Sequence, residues 1–222
     1  MGTGKLVIEL LNLCSMIIDK DTLSFYLDAD KFALGYSIRK PRLFKDTIWR
    51  YEILLRKYEY CLNTNRKLFR LYYAFRLQHL GIKLGFSISA NVFGPGLRIN
   101  HSGLLVINAN ARIGKWCDIH QGVNIGSNDY KEGNEIISCT PYIGDRCYIG
   151  PGAKIFGGIN IGNDVQISAN AVISKDVPND CIAVGNPFVI KSKKKKIITI
   201  ADSDFEINFL LKYPQYTHYL VK

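Results

Sequence analysis

The chain has 222 residues, of which 47% are hydrophobic and 22% charged, a composition typical of a globular protein rather than a disordered one. Its formal net charge of +10 favours anionic partners, such as nucleic acid, phospholipid, a phosphorylated cofactor or an acidic glycan. Six cysteines without a CxxC pair indicate reduced thiols rather than a disulfide scaffold or a metal site. Glu9 and Asn12 interrupt the apolar stretch near the start, so we expect no signal peptide, no membrane span and a cytoplasmic location.

The first 85 residues have the pattern of a helical region. Apolar side chains recur at helical spacing between Ile48 and Tyr58, and lysines and arginines fill other positions. We predict two helices here, separated near Asn63–Asn65 and ended by Gly81 or Gly85, after a further helix that begins in "FYLDADKFALG". Basic and aromatic residues alternate in this region, but periodic aromatic residues are more typical of a core than of an RNA-binding surface. We therefore expect no nucleic-acid partner.

A six-residue repeat of isoleucine follows the helical region. The interval between Ile125 and Ile143 is three sixes, so a stretch of chain leaves the repeat there and returns in phase. Helical periodicity does not produce a strict six, whereas short strands joined by glycine-containing turns do. The repeat isoleucines are Ile107, Ile113, Ile119, Ile125, Ile143, Ile149, Ile155, Ile161, Ile167 and Ile173.

Three repeats make a coil of eighteen residues, and residues one coil apart then stack at the strand spacing of a sheet, about 4.8 Å. The repeat therefore predicts a parallel β-helix. Ordinary hairpins are the alternative interpretation, but hairpin lengths rarely keep one period over ten units.

Four segments carry a resemblance to a known family: "NHSGLLVIN", "DIHQGVNIGS", "IGPGAKIFGGINIG" and "AVGNPFVIK". The stretch 86–190 resembles the hexapeptide-repeat acyltransferases, and among them the serine acetyltransferases and their relatives in surface-polysaccharide gene clusters. The resemblance implies a mainly β protein: a left-handed parallel β-helix of hexapeptide repeats over 86–190, preceded by an N-terminal α-helical region over 1–85. It also implies acetyl-CoA as the acyl donor and no metal.

Residues 191–222 are predicted to form a basic linker and a C-terminal tail. The run "KSKKKK", Lys191–Lys196, is typical of a solvated linker. It could also contact the phosphates of a bound cofactor or the anionic cytoplasmic face of a membrane.

His101 is the predicted catalytic residue. It stands where the regular repeat begins, and its surroundings resemble the catalytic-histidine motif of serine acetyltransferases. Neutral imidazole titrates in the range needed to take a proton from a hydroxyl that attacks a thioester. The alternative is a structural histidine at the open end of the β-helix.

Two positions depart from the serine acetyltransferase pattern. That family has an aspartate directly before the catalytic histidine and a second histidine ahead of the proline that restarts the repeat. The matching residues here are Asn100 and Thr140, and both are candidates to contact the acceptor. Because the second histidine helps to define the amino-acid site in that family, its absence favours an acceptor other than serine.

His120 follows His101 by nineteen residues, which is one coil plus one position, so the two rings are expected on one edge of neighbouring coils. His120 is therefore a second candidate catalytic residue, with an exposed, non-functional histidine as the alternative. The stretch from Ser127 to Cys139 lies outside the repeat and is long enough for a loop over the acceptor site. Asp129 and Glu135 in it are candidate substrate-binding residues, unless the loop is only a solvated excursion.

The resemblance implies that the pantetheine arm of CoA lies in a groove between neighbouring coils of two subunits, and therefore implies a homotrimer with His101 at a subunit interface. Backbone groups of small residues hold the arm in such sites, and lysines near the groove could meet the CoA phosphates. The candidate cofactor-binding residues are Gly126, Ala153, Lys154, Ala169, Lys175, Gly185 and Lys191.

The sequence thus predicts an acetyl-CoA-dependent O-acetyltransferase acting on a sugar hydroxyl of a capsular or lipopolysaccharide precursor. A serine O-acetyltransferase of cysteine biosynthesis is the alternative. A non-catalytic trimeric β-helix, used as a scaffold or a sugar-binding module, is a further one.

Overall fold

The computed structural model describes residues 16–133, 135–192 and 203–220. Three long helices come first: α1 (Lys20–Ala33), α2 (Thr47–Asn63) and α3 (Lys67–Leu84). The Asp19 side chain caps α1 by accepting a hydrogen bond from the Thr22 N–H at 2.7 Å. Gly85 ends α3 in the left-handed conformation, with a φ of 77° that favours glycine. The two helices predicted on either side of Asn63–Asn65 are confirmed, with the second ended by Gly85. The further helix exists, but it begins at Lys20 and ends within "FYLDADKFALG" instead of beginning there.

The repeat region consists of short strands. In chain order they are β1 (Phe86–Ile88), β2 (Arg98–Ile99), β3 (Leu105–Ile107), β4 (Arg112–Ile113), β5 (Asp118–Ile119), β6 (Asn124–Gly126), β7 (Asn128–Glu132), β8 (Glu135–Cys139), β9 (Tyr142–Ile143), β10 (Tyr148–Ile149), β11 (Lys154–Phe156), β12 (Asn160–Ile161), β13 (Gln166–Ile167), β14 (Val172–Ile173), β15 (Cys181–Gly185) and β16 (Phe188–Ser192).

These strands form the three parallel faces of a left-handed β-helix, as predicted. Face A has the order β1-β3-β6-β11-β14, face B has β4-β9-β12, and face C has β2-β5-β10-β13-β15. Strand β16 adds to the end of face C in the antiparallel direction. The chain passes repeatedly from face C to face A to face B, so its turns stack into corners. We call the turns between faces C and A corner CA, and those between faces A and B corner AB.

The repeat isoleucines fill the interior of the β-helix, where each is buried to 4% exposure or less. Ile149 lies beside Ile167 in register, one coil of eighteen residues away. The stretch outside the repeat is the β7–β8 hairpin, which leaves at corner AB between β6 and β9. Since β4 and β9 still pair in register, the coil continues across the hairpin without a slip.

The helices are joined to the start of the β-helix by buried charged groups. Arg56 of α2 is fully buried and donates to Asp30 at 2.7 Å, to Glu59 at 3.0 Å, and to two backbone carbonyls of the first coil. Asp30 accepts from two backbone N–H groups of the segment before β2, each at 2.9 Å. Glu52 accepts from the N–H of Ile99 at 3.1 Å. These side chains form hydrogen bonds with main-chain groups at the first edge of the β-helix, where no earlier strand precedes to pair with them.

Residues 203–220 are helical, so the segment predicted as a tail ends in a packed element. It contains α4 (Ser203–Lys212), a 3-10 turn (Pro214–Tyr216) and α5 (Thr217–Leu220). Phe209 is fully buried in an aromatic cluster with Phe25, Phe32 and Trp116. Lys193–Lys196 lie outside the described residues. In the part of the chain that the structure describes, no helix has the length and apolar character needed to cross a membrane.

Candidate functional site

The outer side of face C carries a polar cluster at its first three strands. The register places Arg98, Asp118 and Tyr148 in one row across β2, β5 and β10. One step further along these strands, Asn100 donates its N–H to the carbonyl of Ile119, directly before His120, at 3.1 Å. Because alternate residues of a strand share a side, Asn100 and His120 lie on the same outer side as the first row.

The two candidate catalytic histidines lie together at this edge. The ring centroids of His101 and His120 are 6.0 Å apart, at an interplanar angle of 52°. His101 is exposed, while the His120 side chain is only 17% exposed and packs against Tyr148 at a ring distance of 5.0 Å. Both follow a strand of face C and stand at the start of corner CA, so the expected shared edge is observed.

Asp118 is the buried carboxylate of this cluster, with an exposure of 4%. It accepts a hydrogen bond from the amide of Asn100. Its oxygens also lie 3.6 Å from His120 Nε2 and 3.8 Å from Arg98 Nη1. Burial raises the pKa of this carboxyl above its ordinary value, and Arg98 and the Asn100 amide oppose that rise. Asp118 is thus a buried carboxyl group held in place beside His120, Asn100 and Arg98.

The pKa of His120 is lowered, first by burial and then by the neighbouring His101 and Arg98. His120 is therefore neutral at pH 7, with one ring nitrogen able to donate and the other able to accept a hydrogen bond. Its contact with Asp118 is accordingly not an ion pair at that pH. His101 can therefore exchange a proton without a second imidazolium beside it.

Asp118, Arg98 and Tyr148 were not among the predicted site residues. A signal for Asp118 was present in "DIH", because residues two apart on a strand share a side and His120 was already a candidate. Arg98 and Tyr148 could be found only from the register between coils, which no local motif reveals.

The predicted acceptor-binding residues divide between two corners. Asn100 lies beside the histidines, whereas Thr140 lies at corner AB and donates its hydroxyl to the carbonyl of Asn110 at 3.0 Å. Asp129 is exposed on β7 opposite Ser138, and Glu135 pairs with Glu132 near the tip of the same hairpin. Within one chain the structure does not bring these hairpin residues to His101.

The predicted cofactor residues are also spread along the β-helix. Ala153 is fully buried, and both its N–H and its carbonyl are bonded within the coils. Lys154 donates its ammonium to the carbonyl of Gly122 at 2.7 Å, which links two coils. A Cβ on Gly126 would lie 2.7 Å from the Phe156 ring, so a larger residue there would force that ring to move.

The four remaining candidates are more open or lie near the end of the coil. Ala169 is exposed at corner CA and Lys175 is exposed at corner AB. Gly185 ends β15, and Lys191 is exposed on β16. Among the residues described, no three His, Cys, Asp or Glu side chains form a group that could hold a metal ion.

The chain is similar to known transferases in sequence. Residues 140–175 match the family model described as bacterial transferase hexapeptide (six repeats). Over 94 residues the chain is 38% identical to a serine acetyltransferase of Synechococcus elongatus, covering 42% of this chain and 37% of that protein. Over 96 residues it is 40% identical to a serine acetyltransferase of Mycobacterium tuberculosis, covering 43% of this chain and 40% of that protein.

The fold agrees with solved structures. Soybean serine acetyltransferase, as the apoenzyme, superposes with a TM-score of 0.59 and 25% sequence identity, over 76% of this chain and 69% of that one. The sequence matches span about two fifths of the length of the two curated relatives.

These relatives correct one prediction. The expected sugar acceptor is wrong, because the matches at about 40% identity are serine acetyltransferases, and they favour the alternative acceptor. The predicted closeness to surface-polysaccharide enzymes is not supported by these matches. The chain carries the hexapeptide repeat of bacterial transferases on a left-handed β-helix, and it has the fold of serine acetyltransferases.

Proposed function

We propose that this protein is an acetyl-CoA-dependent serine O-acetyltransferase in which His101 is the general base. The observation that carries the proposal is the exposed His101 ring beside the neutral His120 and the buried Asp118, on a fold shared with serine acetyltransferases. The identity of the relatives supports serine as the acceptor.

The proposed chemistry is a direct transfer. His101 takes the proton from the serine hydroxyl as the oxygen attacks the thioester carbonyl of acetyl-CoA. Backbone N–H groups at the corner turns are candidates to stabilise the oxyanion of the tetrahedral intermediate. When the intermediate collapses, the C–S bond breaks and the imidazolium returns its proton to the CoA thiolate. The products are O-acetylserine and CoA.

The neighbouring coil offers substitutes for the two residues that depart from the family pattern. Asp118 supplies a carboxylate next to Asn100, where the family has an aspartate, and its contact with His120 supports a positioning role. His120 supplies a second imidazole at the site, although Thr140 stands where the family has one. The missing histidine therefore does not by itself exclude serine as acceptor.

Serine is a zwitterion, and its carboxylate needs a cationic partner. Arg98 is the cation of the polar cluster, and its side chain is 34% exposed while remaining 3.8 Å from Asp118. We assign the serine carboxylate to Arg98, because arginine can bind a carboxylate through two parallel hydrogen bonds.

The cofactor site stays a prediction in its details. Lys175 and Lys191 are exposed and available to CoA phosphates, whereas Lys154 would first have to release the Gly122 carbonyl. A homotrimer is also part of the proposal. The β7–β8 hairpin and the histidines lie at different corners, so a neighbouring copy could bring its Asp129 and Glu135 to the His101 of another.

The test is release of the CoA thiol by the purified full chain with acetyl-CoA, using L-serine in parallel with a set of nucleotide sugars. We expect release with L-serine. His101→Ala should lower kcat/KM by about a hundredfold or more, the usual contribution of a general base. Asp118→Asn and Arg98→Gln test the assigned roles, the second mainly through the KM for serine.

His218→Ala is the matched control, because His218 lies on the short C-terminal helix and not on face C. It should leave the rate unchanged. Serine-dependent release that survives His101→Ala would contradict the assignment of the base. Binding of acetyl-CoA without acetyl transfer to any acceptor would contradict the proposed enzymatic activity and favour a scaffold protein.

A further inference from the structure

Helix α3 has a second apolar side, whose residues are exposed. Its buried side packs against the protein through Leu77, Leu80 and Leu84. The opposite side consists of five exposed apolar residues, which we call the α3 outer face: Leu68, Leu71, Tyr72, Phe75 and Ile82. Leu68, Phe75 and Ile82 are 83%, 69% and 75% exposed.

The spacing of these residues makes one continuous stripe. Steps of three, four and seven residues return to the same side of an α-helix, and at 100° per residue the outer face lies about 180° from the buried side. Isolated exposed apolar residues are ordinary, but a contiguous stripe along a helix of 18 residues marks an interaction site.

The charges of α3 all have one sign. The helix contains no aspartate or glutamate and carries four permanent cations, Lys67, Arg70, Arg76 and Lys83. On a helical projection, Arg76 and Lys83 border the outer face on one side and Lys67 borders it on the other, whereas Arg70 lies near the direction of the buried Leu77. Within the described ranges, no carboxylate lies within salt-bridge distance of these four groups. They are therefore available to an anionic partner.

We propose that the α3 outer face binds the surface of a membrane that contains anionic phospholipids. An apolar stripe bordered by lysine and arginine is the pattern of a helix that lies in the plane of the interface. The apolar side chains then enter the boundary between headgroups and acyl chains, and the cations meet the phosphates. The charge pattern also disfavours a second copy of α3 as the occupant, because symmetric pairing would bring unpaired cations together. This inference does not depend on the proposed enzymatic activity.

The experiment is flotation of the full chain with vesicles of phosphatidylcholine alone, and with vesicles that also contain phosphatidylglycerol. We expect binding to the anionic vesicles only, and weaker binding as the salt concentration rises. The double variant Phe75→Ser with Ile82→Ser should bind at least tenfold more weakly. The matched control is Ile207→Ser with Leu211→Ser, because both residues are exposed apolar side chains on α4. The control should bind like the parent chain.

Circular dichroism and light scattering on each variant separate loss of binding from loss of fold or assembly. Equal weakening in both double variants, or no vesicle binding by the parent chain, would overturn the proposal. If the outer-face variant forms a smaller assembly than the parent chain, and the parent chain does not bind vesicles, the α3 outer face is a contact between copies of the protein. If the outer-face variant binds anionic vesicles as well as the parent chain does, another part of the protein, such as the Lys191–Lys196 run, binds the membrane. That result would also overturn the proposal.

Discussion

The interior of the β-helix and its junction with the helices are both closed to water, but they are stabilised by different interactions. The interior is a column of isoleucines and small residues, and each side chain stabilises the fold because folding removes its apolar surface from water. At the junction, Arg56 lies between Asp30 and Glu59, and Glu52 lies nearby, all with 2% exposure or less. An apolar column tolerates small changes, whereas a buried charged network depends on every partner.

The largest expected effect is the loss of the junction cation. Arg56→Met leaves Asp30 and Glu59 buried without their cation, so we expect a loss of about 3–5 kcal/mol in the free energy of unfolding. Denaturant unfolding at fixed protein concentration measures it. Arg146→Met is the matched control, because Arg146 pairs with Asp164 through two hydrogen bonds at a partly exposed position. The control should cost about 1 kcal/mol or less, and equal losses would contradict the contrast between the regions.

A smaller effect is expected in the interior. Ile149 is fully buried on β10, and Ile149→Val removes one methylene from a column whose other members stay in place. The expected loss is about 0.5–1.5 kcal/mol, measured in the same unfolding experiment. A loss as large as that of Arg56→Met would mean that the coil stack is as intolerant as the junction.

The smallest effect concerns pH. Glu52 bonds Ile99 through one oxygen, while its other oxygen has no partner among the described residues. Burial, and then the charge of Asp30, raise the pKa of Glu52 well above its ordinary value. The folded chain therefore holds a proton that the unfolded chain loses, so this group's stabilisation is present at low pH and declines as pH rises towards its folded pKa.

Glu52→Gln keeps an oxygen for the Ile99 N–H and cannot ionise. We expect its melting temperature to fall less than that of the parent chain as pH rises from about 5 to 8. The slope should shrink rather than vanish, because burial also raises the pKa of Asp30, Glu59 and Asp118. An unchanged slope would show that Glu52 is ionised in the folded protein.

The same contrast explains what the sequence could predict. The six-residue repeat of isoleucine identified ten interior positions from Ile107 to Ile173, because a periodic structure places the same requirement on the sequence in each repeat. His101 and His120 were found by motif and spacing. Arg56 has no such signal, since all its partners except Glu59 lie 26 to 38 residues away in the chain. Asp118 had one local signal, its position two residues before His120, but its contacts to Asn100 and Arg98 cross between coils and have no local pattern.

The packed C-terminal segment shows a related limit. Its apolar and aromatic residues recur through the segment, but their partners Phe25 and Phe32 lie near the other end of the chain. A local pattern cannot reveal a partner that is distant in sequence, so a basic linker followed by a tail was all that the composition indicated.

The two ends of face C are closed by different devices. At the start, Glu52 and Asp30 occupy the backbone groups around β2, and at the finish β16 turns back along β15 in the antiparallel direction. Neither end offers a parallel template to another chain, which discourages end-to-end polymerisation into fibres. Insertion of whole coils between the two ends would therefore lengthen this molecule without disturbing either end. In this architecture the number of coils can change while the two ends stay the same.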